Sequence, residues 1–145
     1  MRFSARVEYA AIAVLNLACL GKHHGPINLR AICEDQGVPA GFVVHILLQL
    51  KRAGLVTSSR GAGGGYRLAK PADEITLRDI YVAIEGPMTR PAPVAAGLAT
   101  RSRGAAVLAK AWAAACRAEG EALASFTIAD LVVRTASVSE PMYYI

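Results

Sequence analysis

The run Arg60-Gly61-Ala62-Gly63-Gly64-Gly65-Tyr66-Arg67 restricts this chain more than any other stretch. Two short β-prone segments flank it, Leu55-Val56-Thr57-Ser58-Ser59 before and Tyr66-Arg67-Leu68-Ala69-Lys70 after. Glycine reaches backbone conformations closed to other residues, so a glycine run between two strands predicts a hairpin tip. The competing reading is a phosphate cradle. That needs a helix directly after the glycines, so that its free amides face the phosphate. Here a strand-like segment follows, Pro71 ends it, and there is no Gly-Lys-Ser/Thr. The stretch therefore reads as a hairpin with a cation at each end, facing whatever the tip approaches.

Three helices are expected upstream. Ser4 is placed to cap the first. Val7, Ala10, Ala11, Val14, Leu17 and Ala18 then recur at helical steps, giving a buried helix over residues 4–20 that Gly21 to Pro26 ends. Asn28 caps a second, from about Leu29 to Gln36, with Ile27 and Ile32 as a hydrophobic staple and Gly37 as its stop. Val38-Pro39-Ala40 forms the turn, with Pro39 suited to the start of the next helix. A third helix follows over residues 40–53, with Val43, Ile46, Leu47 and Leu50 inward. Phe42, Val44, His45, Leu48, Gln49, Lys51 and Arg52 then point outward.

Helix, turn, helix, glycine stop, strand and basic hairpin is the order of a winged helix-turn-helix. After it, Thr76 caps a short helix from Leu77 to Ile84, and a helical pattern returns from Gly104 to Ala124. Thr127-Ile128-Ala129-Asp130 resembles a capping box opening a last short helix. The expected fold is mostly α with a small two-stranded β-wing, a winged helix-turn-helix domain plus a long dimerisation helix. Residues 1–86 would form the DNA-binding domain and residues 87–103 a loop. Residues 104–145 would form the dimerisation helix and a C-terminal docking segment ending in Pro141-Met142-Tyr143-Tyr144-Ile145.

Charge placement points to a polyanionic partner. The chain of 145 residues carries a formal net charge of +5. Between Asp35 and Asp73 there is no acidic residue, while Lys51, Arg52, Arg60, Arg67 and Lys70 all fall in that gap. A positive field confined to the third helix and the hairpin is what phosphate contacts require. The expected partner is double-stranded DNA, met by the third helix in the major groove. The expected contacts are Arg2, Gly41, Phe42, Val44, His45, Gln49, Lys51, Arg52, Arg60, Gly61, Gly63, Gly64, Tyr66 and Arg67. Polar readers are few on that face, and Phe42, Val44 and Leu48 are suited to thymine methyl groups instead.

The hydrophobic content of 54% is largely alanine and valine, so the chain either packs tightly or hides a face against a second copy. Val107, Leu108, Ala111, Trp112, Ala115 and Leu123 keep helical spacing and are the expected homodimer contacts. Cys19, Cys33 and Cys116 show neither metal-finger nor redox spacing, a pattern of scattered cytosolic thiols. The apolar run Tyr9 to Leu20 is too short to span a bilayer. A cytoplasmic protein without cofactor or metal is expected. No nucleophile–base pair or paired carboxylates stand in a recognisable catalytic setting, so no enzyme is expected.

The chain resembles the winged-helix regulators of the IscR, NsrR and CymR type, the Rrf-two family. The matching residues are Met1-Arg2-Phe3-Ser4 with Tyr9-Ala10, Gly25-Pro26-Ile27-Asn28-Leu29, and Ile32-Cys33-Glu34-Asp35-Gln36-Gly37-Val38. The most specific match runs from Leu50-Lys51-Arg52-Ala53-Gly54-Leu55-Val56 through the glycine hairpin, and Thr76 to Gly86 and Thr127 to Leu131 also fit. The resemblance implies a homodimer on a palindromic operator, with repression as the expected direction and the long helix as the interface. It also implies, for many members, an iron–sulfur cluster held by three cysteines in the loop before that helix. Here residues 88–103 contain neither cysteine nor histidine, so that site is not expected. Glu8, Cys33 and the pair His23-His24 remain as weak sensor candidates. Two other classes stay open: a protein-interaction module on a degenerate helix-turn-helix, and a metal or redox sensor with nonstandard ligands. An effector or partner protein of unspecified chemistry completes the expected partners.

Overall fold

The computed structural model of the chain describes residues 3–34, 37–88 and 102–138, apart from the side chains of residues 23 and 24. In chain order the elements are α1 (Ala5–His24), α2 (Leu29–Glu34), α3 (Ala40–Arg52), β1 (Val56–Ser59) and β2 (Gly65–Leu68). A 3-10 turn (Ala72–Glu74), α4 (Leu77–Glu85), α5 (Arg103–Ala124) and α6 (Ile128–Val138) follow. Arg2, the loop residues 89–101, the end of the second expected helix at Gln36 and the tail from residue 139 lie outside the described residues.

Helix α1 is the spine. The Ser4 hydroxyl oxygen accepts the Val7 N–H at 3.3 Å, and Glu8 stands in the first turn, where a negative charge favours the helix dipole. The helix runs through Gly21 to His24 and stops at Gly25, whose φ is 71°. It thus ends four residues later than its sequence predicts. A glycine inside a helix costs only about 1 kcal/mol, and α1 packs against α2, α3, α4, α6 and β2. Those contacts decide the outcome. They also explain Ala13, fully buried beside the expected stripe of Val7, Ala10, Val14, Leu17 and Ala18, because a surrounded helix is apolar on more than one face.

The next four elements form the helix-turn-helix and its wing. The Asn28 carbonyl oxygen Oδ1 accepts the Ala31 N–H at 2.8 Å, capping α2, and Ile27 and Ile32 are both buried. Along α3, Val43, Ile46, Leu47 and Leu50 are each no more than 1% exposed, so this helix cannot rotate without opening the core. Its last carbonyls are closed by Ala53 N–H to Gln49, Gly54 N–H to Lys51 and Leu55 N–H to Leu50. β1 and β2 pair antiparallel from Val56↔Leu68 to Ser59↔Gly65.

α4 opens with a full capping box between Thr76 and Asp79, and Ile80 and Ile84 bury its inner face. α6 opens with the same device. The Asp130 amide donates to Thr127 Oγ1 at 3.1 Å, and the Thr127 amide donates to Asp130 Oδ2 at 3.2 Å. The two caps are also joined by backbone, Leu77 N–H to Phe126 O and Ile128 N–H to Ile75 O. Ile75, Ile80 and Ile128 thereby enter one continuous core with α1 and α3. α6 therefore packs against α1 in the same core.

Helix α5 behaves differently. Its 22 residues span about 33 Å at 1.5 Å per residue. Near its C-terminal end it packs on α4, where a Cβ on the buried Gly120 would stand 3.6 Å from Met88 Sδ and 3.7 Å from Arg78 Nε. Gly120 and Leu123 are its buried residues. Leu123 therefore packs within its own protomer, unlike the interface position its spacing suggested. Val107 (68% exposed) and Leu108 (51%) stand in solvent.

Candidate nucleic-acid interface

The wing is shaped by two adjacent glycines. A Cβ on Gly64 would lie 2.4 Å from the Ser59 carbonyl oxygen, and one on Gly65 would lie 2.5 Å from the Ile27 carbonyl oxygen. Both obstacles are backbone, so no rotamer relieves them. The Gly65 approach has a purpose. Ile27 N–H donates to the Tyr66 carbonyl at 2.9 Å, and Tyr66 N–H donates back to the Ile27 carbonyl at 2.8 Å. The chain between α1 and α2 thus lies against β2 as a third, one-residue strand, tying the wing's base to the helix-turn-helix. Gly63, by contrast, has open space where a Cβ would stand.

The expected contact residues fall into two sets. Gly41, Phe42, Val44 and His45 on α3 are exposed, as are Lys51, Arg52, Arg60, Gly61, Gly63 and Arg67, while Gln49 is half-buried. Phe42 makes an edge contact with Tyr9 of α1 at 5.7 Å between ring centroids, which holds it at the helix–helix seam. Gly64 and Tyr66 are half-buried, and the Tyr66 ring packs on the hydrophobic core. Gly64 and Tyr66 accordingly shape and anchor the wing.

Cations dominate the surface these elements share. Lys51 Nζ donates to Ser58 Oγ at 2.6 Å, bracing the end of α3 against β1 and fixing where that charge stands. The Arg67 guanidinium lies against the α1–α2 connection, its Nη2 3.2 Å from where a Cβ on Gly25 would stand. Among the described residues no carboxylate comes within 4 Å of Lys51, Arg52, Arg60 or Arg67; the ion pair present is Arg30–Glu34 at 3.2 Å. The positive field is therefore not neutralised internally.

Sequence reasoning missed one participant. Arg6, in the first turn of α1, donates from Nη2 to Gln49 Oε1 at 2.7 Å, tying α1 to α3. A signal was present: a cation opposes the helix dipole at that position, so its placement calls for a partner.

The three cysteines stand on three different helices. Cys19, Cys33 and Cys116 are half-buried on α1, α2 and α5 respectively. Burial pushes the Cys33 thiol up from its ordinary value. Among the described residues no group of three His, Cys, Asp or Glu side chains is arranged to hold a metal ion. No helix among them is long and apolar enough to cross a membrane.

Comparison with known proteins agrees with this architecture. The sequence profile of the Rrf2 family, described as an iron-dependent transcriptional regulator, matches residues 3–134. Rv1287 of Mycobacterium tuberculosis (strain ATCC 25618 / H37Rv), described as a candidate HTH-type transcriptional regulator, is 34% identical over 131 residues. That alignment covers 90% of this chain and 81% of the relative. The HTH-type transcriptional regulator IscR of Erwinia tasmaniensis is 39% identical over 85 residues, 59% of this chain and 51% of that protein. The aligned part thus spans about half of the IscR relatives' length. Among solved structures, T. potens IscR superposes with a TM-score of 0.75 at 28% identity, covering 99% of this chain and 97% of that one. CymR, the global cysteine regulator of B. subtilis, gives 0.73 at 28% identity, covering 92% and 98%. The profile match, the curated relatives and the winged helix agree: this chain belongs to the Rrf2 family of transcriptional regulators.

Proposed function

We propose that this protein is a homodimeric, cytoplasmic, DNA-binding repressor that acts on a palindromic operator and has neither enzymatic activity nor the family's three-cysteine cluster. One observation carries the reading. α3 is locked into the core by four fully buried side chains, while its opposite face and the wing present Lys51, Arg52, Arg60 and Arg67 without carboxylate partners among the described residues. Unneutralised cations on a fixed helix and hairpin are what contacts to a phosphate backbone require. Repression follows from occupancy, since a dimer seated on an operator excludes other proteins from it.

Dimerisation rests on α5. A long helix exposing Val107 and Leu108 leaves apolar area in water, and burying such side chains is worth about 1.5–3 kcal/mol each. A second copy of the same helix is the simplest cover, and two protomers would set their α3 helices in successive major grooves. On this reading Gly41, Val44, His45 and Gln49 meet bases, with Phe42 at the edge of that face.

The salt dependence of binding tests the assignment. If three or four cations per protomer each neutralise one phosphate, a dimer neutralises six to eight. The slope of log affinity against log salt is then about −5 to −7, at roughly 0.9 per phosphate. A slope near −2 refutes it. Absence of any salt-sensitive retention of genomic fragments would instead favour a protein-interaction role for the exposed Phe42, Val44 and Leu48.

A further inference from the structure

Beside the DNA-facing surface, a groove of about 690 Å³ opens between the end of α3, the start of β1 and α4. Its size suits a small-molecule ligand. Arg52, Lys70 and Arg78 stand around it, and Leu55, Val82 and Ala83 form an apolar floor.

The polar groups are almost all donors. Gln49 lines the groove, and its Oε1 is already taken by Arg6, which leaves the amide NH2 as the free end. The α3 carbonyls of Gln49, Leu50 and Lys51 are occupied by the amides of Ala53, Leu55 and Gly54. Asp79 is the one carboxylate in the lining, and its Oδ2 accepts from both the backbone N–H and the hydroxyl of Thr76 at 2.9 Å. Three cations against one carboxylate leave the lining at +2, with no ion pair among its members. Like charges gathered around a partly apolar cleft repel one another, and an acceptor-rich anion relieves that repulsion.

We propose that this groove binds a phosphoryl-type oxyanion, held by Arg52, Lys70 and Arg78 with the Gln49 amide as an added donor. The same chemistry has two sources, a soluble phosphorylated ligand or a backbone phosphate of the bound duplex. Position gives the site a consequence. Arg52 also belongs to the DNA-facing set, and the Arg78 guanidinium lies against α5 at Gly120. An occupant therefore touches both the reading helix and the helix assigned to dimerisation.

Two measurements on the full chain test the site, each on the wild type, Lys70→Ala and the double variant Lys70→Ala with Arg78→Gln. Lys70 is exposed beyond the end of β2, so the single variant retains the fold even if the double does not. The first is an NMR titration with inorganic pyrophosphate, which needs no DNA. Saturable shifts at the amides of Ala53, Leu55 and Ala83, weakened at least several-fold by Lys70→Ala, establish a soluble-ligand site. The second is the salt slope on duplex DNA, where losing one phosphate contact per protomer makes the slope shallower by about 2. That change establishes the backbone source. Shifts that persist unchanged in the variants, or no shifts together with an unchanged slope, overturn the proposal. Because the DNA-binding reading supplies only the second arm, its failure leaves the pyrophosphate result standing.

Discussion

Replacing Gly65 by alanine should detach the wing from the helix-turn-helix. The new methyl group would stand 2.5 Å from the Ile27 carbonyl oxygen, 2.6 Å from its carbon and 3.0 Å from the Asn28 nitrogen. Cβ atoms do not approach backbone closer than 3.0 Å, so the two segments must part by at least 3.0 − 2.5 = 0.5 Å. That opening falls directly on the Ile27–Tyr66 pair, whose two hydrogen bonds measure 2.9 and 2.8 Å. At about 0.5–1.5 kcal/mol net for each bond, the loss is roughly 1–3 kcal/mol. Urea unfolding monitored by far-ultraviolet circular dichroism measures it, and amide exchange at Ile27 and Tyr66 localises it. Gly63→Ala is the matched control. Nothing lies within 4 Å of its Cβ position and its φ is not positive, so this change is neutral or stabilising by about 0.4–1 kcal/mol through the unfolded chain. If Gly65→Ala unfolds within about 0.5 kcal/mol of wild type, with both amides still protected, the steric reasoning is wrong.

Two further tests address other parts of the molecule. Leu108→Glu places a charge where an apolar residue is 51% exposed, so it leaves protomer folding intact but shifts the chain to monomer in sedimentation; an unchanged dimer would clear α5 of that role. At Asp130, the hydrogen bonds from Thr127 hold the carboxyl below its usual 3.8, with Arg134 adding a smaller pull. A lowered folded value means the carboxylate contributes stability above about pH 4, which is lost as pH falls through the folded value. Wild type should therefore exceed Asp130→Asn in melting temperature at neutral pH, and the gap should narrow below 3.8. A gap that widens on acidification would reverse the sign.

The sequence alone determined what depends on local chemistry. Ser4, Asn28, Thr76 and Thr127 are caps because a short oxygen-bearing side chain at a helix start satisfies free amides wherever it occurs. The inward stripe of α3 was legible because four apolar residues at helical spacing have one way to leave water. The acid-free cationic stretch was legible for a similar reason, since charge is a property of residues before it is one of shape. Tertiary structure decided what joins residues distant in the chain. Gly21 lies within a helix because α1 is packed on several sides, which outweighs its weak propensity. Leu123 turns into its own protomer because the end of α5 packs on α4, a contact that no periodicity encodes. Ile27 pairs with Tyr66, and Arg6 with Gln49, across 39 and 43 positions respectively, since 66 − 27 = 39. Such partners are set by how helices cross, which is a property of the whole core, and a one-dimensional pattern cannot state it.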